Sequence, residues 1–243
     1  MAPPIGYSAP VPVAYAERLA DALPRVRARI AEAARAVGRD PAGVRLVAVT
    51  KSHPLDAVRA ALALGLTDLG ENRVAELSHK VGAIGRDGVA WHMIGHVQSR
   101  KARDAAALAD WVHSVDSLKL AERLGGAAAA AGRTLAVLVQ VNTSGEASKE
   151  GLGPAQAAEV VIAIAELPGL RVEGLMTMAP LTDDERVQGG TFARLRELSD
   201  RLRSASARVG PELSMGMTND LAVAIREGST MVRIGTALFG ERP

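Results

Sequence analysis

Val44-Arg45-Leu46-Val47-Ala48-Val49-Thr50-Lys51 is a short β-branched run that ends on a lysine, and Pro54 then opens an Ala- and Leu-rich stretch that stops at Gly65. The run reads as a strand, and the stretch after it as a helix with proline at its start and glycine at its end. Outward from here the same unit recurs. Strands are expected at 67–70, 89–94, 111–115, 135–141, 170–175, 212–214 and 231–234, and helices at 73–84, 98–108, 117–131, 154–167, 184–207 and 219–227. Residues 14–37 place Leu19, Leu23, Val26 and Ile30 at helical spacing and form an extra N-terminal helix stopped by Gly38. Alternation of strand and helix implies an α/β fold with a parallel sheet. Eight such units in 243 residues fit a closed TIM (β/α)8 barrel better than an open sheet. The predicted organisation is one barrel domain, 14–243, behind a Pro-rich flexible leader at 1–13.

Composition narrows the function classes. Aromatic residues make up 2% of the chain, so a core drawn from its 48% hydrophobic residues must be built of Ala, Val, Leu and Ile. Basic and acidic residues number 29 and 27 and are interspersed, so a clustered basic face for nucleic acid is not expected. There is no Cys, and no His pair stands at ligand spacing on a helix, because the residues between His92 and His96 read as a strand end and turn. A metal site is therefore not expected. No stretch reaches 18 consecutive apolar residues, and the start lacks a basic segment before an apolar run, which reads as a soluble cytoplasmic protein without a signal peptide.

Barrel enzymes and binders place their chemistry at the C-terminal ends of the strands. Lys51 stands at such an end, where partial desolvation would lower its pKa and make it a competent amine for a Schiff base. By position alone a lysine that snorkels to solvent is the simpler reading. The last strand is more telling. Met231-Val232-Arg233-Ile234-Gly235-Thr236 puts a cation inside an apolar segment and a Gly-Thr pair at its end, and such a pair suits a phosphate through close backbone approach and a hydroxyl. Ser214-Met215-Gly216-Met217-Thr218-Asn219 has the same character after the seventh strand, although Thr218 and Asn219 could equally cap the following helix. Barrels commonly bind phosphate between these two loops. Asn72 reads as a site residue or a helix cap, and His92 as a functional or a satisfied core histidine.

The segments VAVTKSHP, LGENRVAEL, WHMIGHVQSRKAR, HSVD, GLMTM and LSMGMTNDLAVAIREGSTMVRIGTALFGER occur in the order expected of the YggS/PROSC family. The chain resembles these pyridoxal-phosphate homeostasis proteins from the first strand to the C-terminus. The resemblance implies a barrel like the N-terminal domain of bacterial alanine racemase, with pyridoxal 5'-phosphate (PLP) as a Schiff base on Lys51. It further implies Asn72 beside the ring, Arg233 facing the pyridine nitrogen, and Ser214, Gly216, Met217, Gly235 and Thr236 around the phosphate. Two segments depart from the family pattern. Gly95-His96-Val97-Gln98-Ser99-Arg100-Lys101 stands where GxLQxNK is usual, and Thr218-Asn219-Asp220 where Ser-x-Asp is usual.

A permanent cation beside the pyridine nitrogen keeps that nitrogen unprotonated and weakens the ring as an electron sink. A racemase of this architecture also needs a second proton carrier, normally a tyrosine from another domain. The tyrosines here, Tyr7 and Tyr15, fall in the leader and opening helix, and a further β domain after Pro243 is not expected. The expected function is thus non-catalytic storage, buffering or delivery of PLP, with apo-enzymes as partners and a monomeric state. A slow amino-acid racemase using His92 or His96 is the competing expectation.

Overall fold

The protein is described here by a computed structural model covering residues 13–146 and 149–242. Eight strands, β1 (Arg45–Val49), β2 (Asp68–Glu71), β3 (Ala90–Met93), β4 (Trp111–Val115), β5 (Leu135–Gln140), β6 (Leu170–Met176), β7 (Val209–Ser214) and β8 (Met231–Ile234), pair in chain order. Every pairing is parallel, and β8 closes on β1 through Arg45 opposite Met231 and Val47 opposite Arg233. The helices are α1 (Val13–Arg35), α2 (Leu55–Ala63), α3 (Val74–Ile84), α4 (Ala102–Leu108), α5 (Leu118–Ala130), α6 (Pro154–Ala165), α7 (Glu185–Ala205), α8 (Leu221–Arg226) and α9 (Thr236–Phe239). The expected TIM barrel is therefore present. Of the leader expected at 1–13, all but Val13 lies outside the described residues, and Val13 opens α1.

The main core lies between the outer face of the barrel and its coat of helices, and is built mostly of Ala, Val and Leu, as the composition requires. β5 is buried along its whole length, the signature of a parallel strand covered on both sides. Helix α1 presents Leu19, Leu23, Val26 and Ile30 to the barrel and packs against α2, α8 and α9. It is tied there by Arg18, which donates to the Phe239 carbonyl at 2.9 Å, and by Arg29, which donates to the Thr218 carbonyl at 3.0 Å. Inside the barrel the apolar filling is small, with Leu138, Met176 and Met231 packed against Trp111 and Met178.

Most element ends shift from expectation by between one and four residues, and two differences bear on the C-terminal end of the barrel. β7 begins at Val209 rather than 212, because a bulge admits Pro211 into the strand: Val172 and Gly174 of β6 face Val209 and Glu212, leaving an additional residue on β7. The short tail after β8 forms a one-turn helix, α9. The bulge depends on Gly174, whose φ is +150° and whose Cβ, if present, would lie 1.9 Å from the Glu212 carbonyl oxygen.

Gly174→Ala is expected to lower stability by about 3 kcal/mol or more, since strain and a backbone clash add. Gly126→Ala, on an open face of α5 with nothing within 4 Å, should instead raise it by about 0.8–1 kcal/mol. Urea denaturation of both variants reads the contrast.

Candidate functional site

The C-terminal ends of β1, β2, β6, β7 and β8 surround a cavity of about 620 Å³, within the size range of small-molecule sites. Six of the eight residues singled out in the sequence line it: Lys51, Asn72, Met217, Arg233, Gly235 and Thr236. Ser214 and Gly216 are not among its lining residues. Another cavity, of about 400 Å³, opens at the opposite end of the barrel between α1 and the starts of β1 and β2, with mainly aliphatic walls.

Lys51 leaves β1 on a turn clamped from below. Lys80 of α3 is almost wholly buried, and its Nζ donates to the Thr50 carbonyl at 2.7 Å, to Glu71 Oε1 at 2.7 Å and to Glu76 Oε1 at 3.2 Å. Thr50 Oγ1 donates to the same Glu71 oxygen, and the Ser52 N–H donates to Glu76, each at 2.5 Å. Ser52 has φ of +62°, a strained value for a residue with a side chain, so the turn persists because its neighbours over-determine it. Burial raises the Glu71 pKa against the opposing pull of Lys80, and Glu71 Oε2 has no hydrogen-bond partner among the described residues. Lys80 reads as an ordinary surface lysine in sequence. The available signal was its place three residues after Leu77 on the buried face of α3. The Lys51 amine itself is lowered in pKa by burial first, then by the cations Arg242 and Arg233. Both effects enlarge its neutral, nucleophilic fraction.

Arg233 points from β8 into the barrel and is 5% exposed. One guanidinium nitrogen donates to the Ser214 carbonyl and hydroxyl at 2.8 and 2.6 Å, the other to the Thr177 carbonyl at 3.1 Å. No carboxylate lies within ion-pair distance of it among the described residues. Burial lowers its pKa to about 10, opposed by Asp220, so it remains a cation at neutral pH. The Ser214 hydroxyl is thereby engaged inside the barrel, and Gly216, with φ of +97°, packs against Ala224 where a Cβ would be 2.6 Å away.

The capping readings do not hold. α3 starts with Arg73 as its N-cap and no side-chain bond, so Asn72 is free to face the cavity. It is pressed under the Gly95 backbone, whose Cβ would come within 2.2 Å of the Asn72 carbonyl. α8 begins at Leu221, beyond Thr218 and Asn219, and the buried Asp220 carboxylate turns back to accept from the Met217 N–H at 2.5 Å. Gly235 sits where a Cβ would meet the Val49 carbonyl at 3.2 Å, and Thr236 opens α9 at the rim. Sequence reasoning passed over Arg242 and Lys149, which also line the cavity.

The histidines are placed elsewhere. His92 is buried in the barrel between Asp68 and His113, and His96 pairs with Asp116 at 3.2 Å; neither lines the cavity. Tyr15 lies nearer than its place in α1 implies. Its hydroxyl is 3.2 Å from Nδ1 of His53, two residues beyond Lys51, though it too is outside the cavity wall. Tyr7 falls outside the described residues.

A closed (β/α)8 barrel with a partly desolvated lysine and a buried arginine on one cavity defines a small-molecule binding protein whose site offers its ligand an amine and a fixed cation. Residues 22–243 match the family model described as alanine racemase, N-terminal domain. The pyridoxal phosphate homeostasis protein of Pseudomonas aeruginosa is 48% identical over 224 residues, covering 92% of this chain and 96% of that protein. A solved structure of PipY from Synechococcus elongatus with PLP bound is 35% identical, with a TM-score of 0.80 over 91% of this chain and all of that one. Alanine racemase of Clostridium difficile, at 17% identity, shares the fold with a TM-score of 0.77, covering 93% of this chain and 57% of its own. The chain belongs to the family of pyridoxal phosphate homeostasis proteins, as its motifs indicated.

Lys80→Met should strand the Glu71 carboxylate and cost about 3–5 kcal/mol in denaturation, and adding Glu71→Leu should recover much of that loss. Burial also depresses His92, and depresses His113 strongly. The unfolded chain therefore binds more protons than the folded one below about pH 6.5. This contribution to stability is complete above that pH and falls on acidification through it. His113→Asn should flatten part of the slope in urea midpoints measured across that range.

Proposed function

We propose that this protein holds PLP in the barrel mouth through an imine to Lys51, and that it stores, buffers or delivers the cofactor without turning over a substrate. The observation that carries this reading is the convergence of the lowered-pKa amine of Lys51 and the buried guanidinium of Arg233 on one cavity of about 620 Å³. The residues fit the chemistry of the group. An aldehyde needs a neutral amine, which Lys51 offers. A ring nitrogen needs a donor that cannot surrender its proton, which Arg233 offers while Ser214 and Thr177 hold it. A phosphate needs close backbone approach and positive charge. Gly235, the hydroxyl of Thr236 and the nearby Arg242 would provide them, with Gly216 and Met217 forming the adjoining wall. Asn72 would border the ring.

When bound, the cofactor supplies an electrophilic carbon and a conjugated ring. Arg233 would keep the ring nitrogen unprotonated, which disfavours withdrawal of a substrate carbanion into the ring. No His or Tyr lines the cavity among the described residues, so the proton carriers of the competing racemase reading, His92 and His96, would both have to act from outside it. The relatives' name speaks of homeostasis rather than of a reaction. Intracellular apo-enzymes that use PLP are the recipients this reading implies. No helix among the described residues is long and apolar enough to cross a membrane.

The test is a visible spectrum of purified protein with PLP, followed by borohydride reduction and peptide mapping. The adduct should map to Lys51 and vanish in Lys51→Ala with the fold retained by circular dichroism; mapping to any other lysine overturns the reading. Thr236→Val should weaken retention about tenfold, the worth of about 1.4 kcal/mol. Incubation with single-enantiomer amino acids in deuterated water should give no catalytic exchange at Cα, and turnover there would establish an enzyme instead.

A further inference from the structure

TIM-barrel interiors are ordinarily filled by layers of branched apolar side chains. Here a polar line crosses the interior. Asp68, at the start of β2, lies 3.0 Å from Nε2 of His92 on β3. Nδ1 of His92 lies 2.9 Å from Nε2 of His113 on β4, and Nδ1 of His113 lies 2.9 Å from Oγ of Ser214 on β7. That hydroxyl receives Arg233 of β8 at 2.6 Å. His92, His113 and Ser214 are all buried to 1% exposure or less. At the outer end Trp111 stacks on His92, with ring centres 5.7 Å apart and planes 10° apart, and Arg45 lies over Trp111 and 3.8 Å from Asp68.

With both rings uncharged, as their burial favours, the direction of every bond follows from the acceptor at the outer end. A carboxylate can only accept, so His92 Nε2 carries the proton and donates to Asp68. With one proton per ring, His92 Nδ1 is an acceptor, and His113 must donate to it through Nε2–H. His113 Nδ1 is then an acceptor in turn, which leaves the Ser214 hydroxyl to donate to it while its oxygen accepts from Arg233. The order is consistent at the inner end, because a guanidinium only donates. Two imidazolium rings are excluded, since they would set N–H against N–H at 2.9 Å. Burial favours the uncharged form of both rings.

We propose that Asp68, His92 and His113 are positioning residues for Arg233: a one-way hydrogen-bond line from a carboxylate at the far end of the barrel sets the Ser214 hydroxyl and, through it, the orientation of the guanidinium toward the bound ligand's ring nitrogen. The last clause rests on the functional reading above; the line itself does not. Removing His113 frees the Ser214 hydroxyl to rotate, which changes the acceptor seen by Arg233 and so the electronic environment of the ring.

The first measurement is ¹⁵N–¹H NMR of histidine-labelled protein without added ligand. Nε2–H tautomers at both His92 and His113 are expected, and an Nδ1–H tautomer at His113 overturns the line. The second uses the PLP-loaded protein. His113→Leu should shift the visible maximum while borohydride still fixes the adduct on Lys51, and His113→Asn, which keeps an acceptor toward Ser214, should restore the parent maximum. An unshifted maximum in a folded His113→Leu protein overturns the positioning role. If the parent protein shows no adduct on Lys51, the functional reading falls, and the tautomers of the unliganded protein still decide whether the line exists.

Discussion

A guanidinium enclosed in a barrel must find acceptors for its donors inside the wall, because an isolated buried charge costs far more than folding can supply. Arg233 meets that requirement with two main-chain carbonyls and one hydroxyl, and no carboxylate among the described residues lies within ion-pair distance. Much of the interior chemistry follows from it. The Ser214 hydroxyl is engaged by both Arg233 and His113, and the polar line through His113 and His92 takes the place of apolar filling on that side of the barrel. What remains of the apolar interior is the small group around Leu138, Met176 and Met231.

The lysine is governed by the complementary rule. Burial lowers the pKa of its amine and so enlarges the neutral fraction, while the backbone beneath it is held fixed. The clamp beneath it, a buried Lys80 shared between Glu71, Glu76 and the Thr50 carbonyl, fixes the residues on either side of Lys51 in a turn that includes a left-handed serine. A buried ion pair is weak support for stability but a strong constraint on geometry, since one partner without the other is severely penalised. The clamp uses a lysine that never reaches the cavity, so the two lysines of this region do different work: one holds the turn and the other is presented by it.

Glycines mediate where backbones must touch. Gly95 lets the β3–α4 connection lie on Asn72, and Gly174 lets β6 accept the bulge that brings Pro211 into β7. The bulge lies upstream of Ser214 on the same strand, so the register at the strand's end rests on a residue with no side chain.

Strand and helix alternation, eightfold count, parallel pairing and the aliphatic core were all legible in the sequence, because each depends on local periodicity and on composition. The strand-end rule drew attention to Lys51, Asn72, Arg233, Gly235, Thr236 and the 214–219 segment, since in a barrel position along the chain predicts position in space, but it was the family motifs that favoured a site lysine over a snorkelling one. Beyond reach were the partners of those residues. Lys80 and Glu71 are nine residues apart and His113 and Ser214 are 101 apart; nothing local to either member announces the other. Whether Asn72 caps a helix or faces a cavity, and whether His92 serves the site or the interior, depends on which side chains the closed barrel brings within hydrogen-bond reach. Periodicity determines which face of a strand is inward, but only closure of β8 on β1 decides what that face meets.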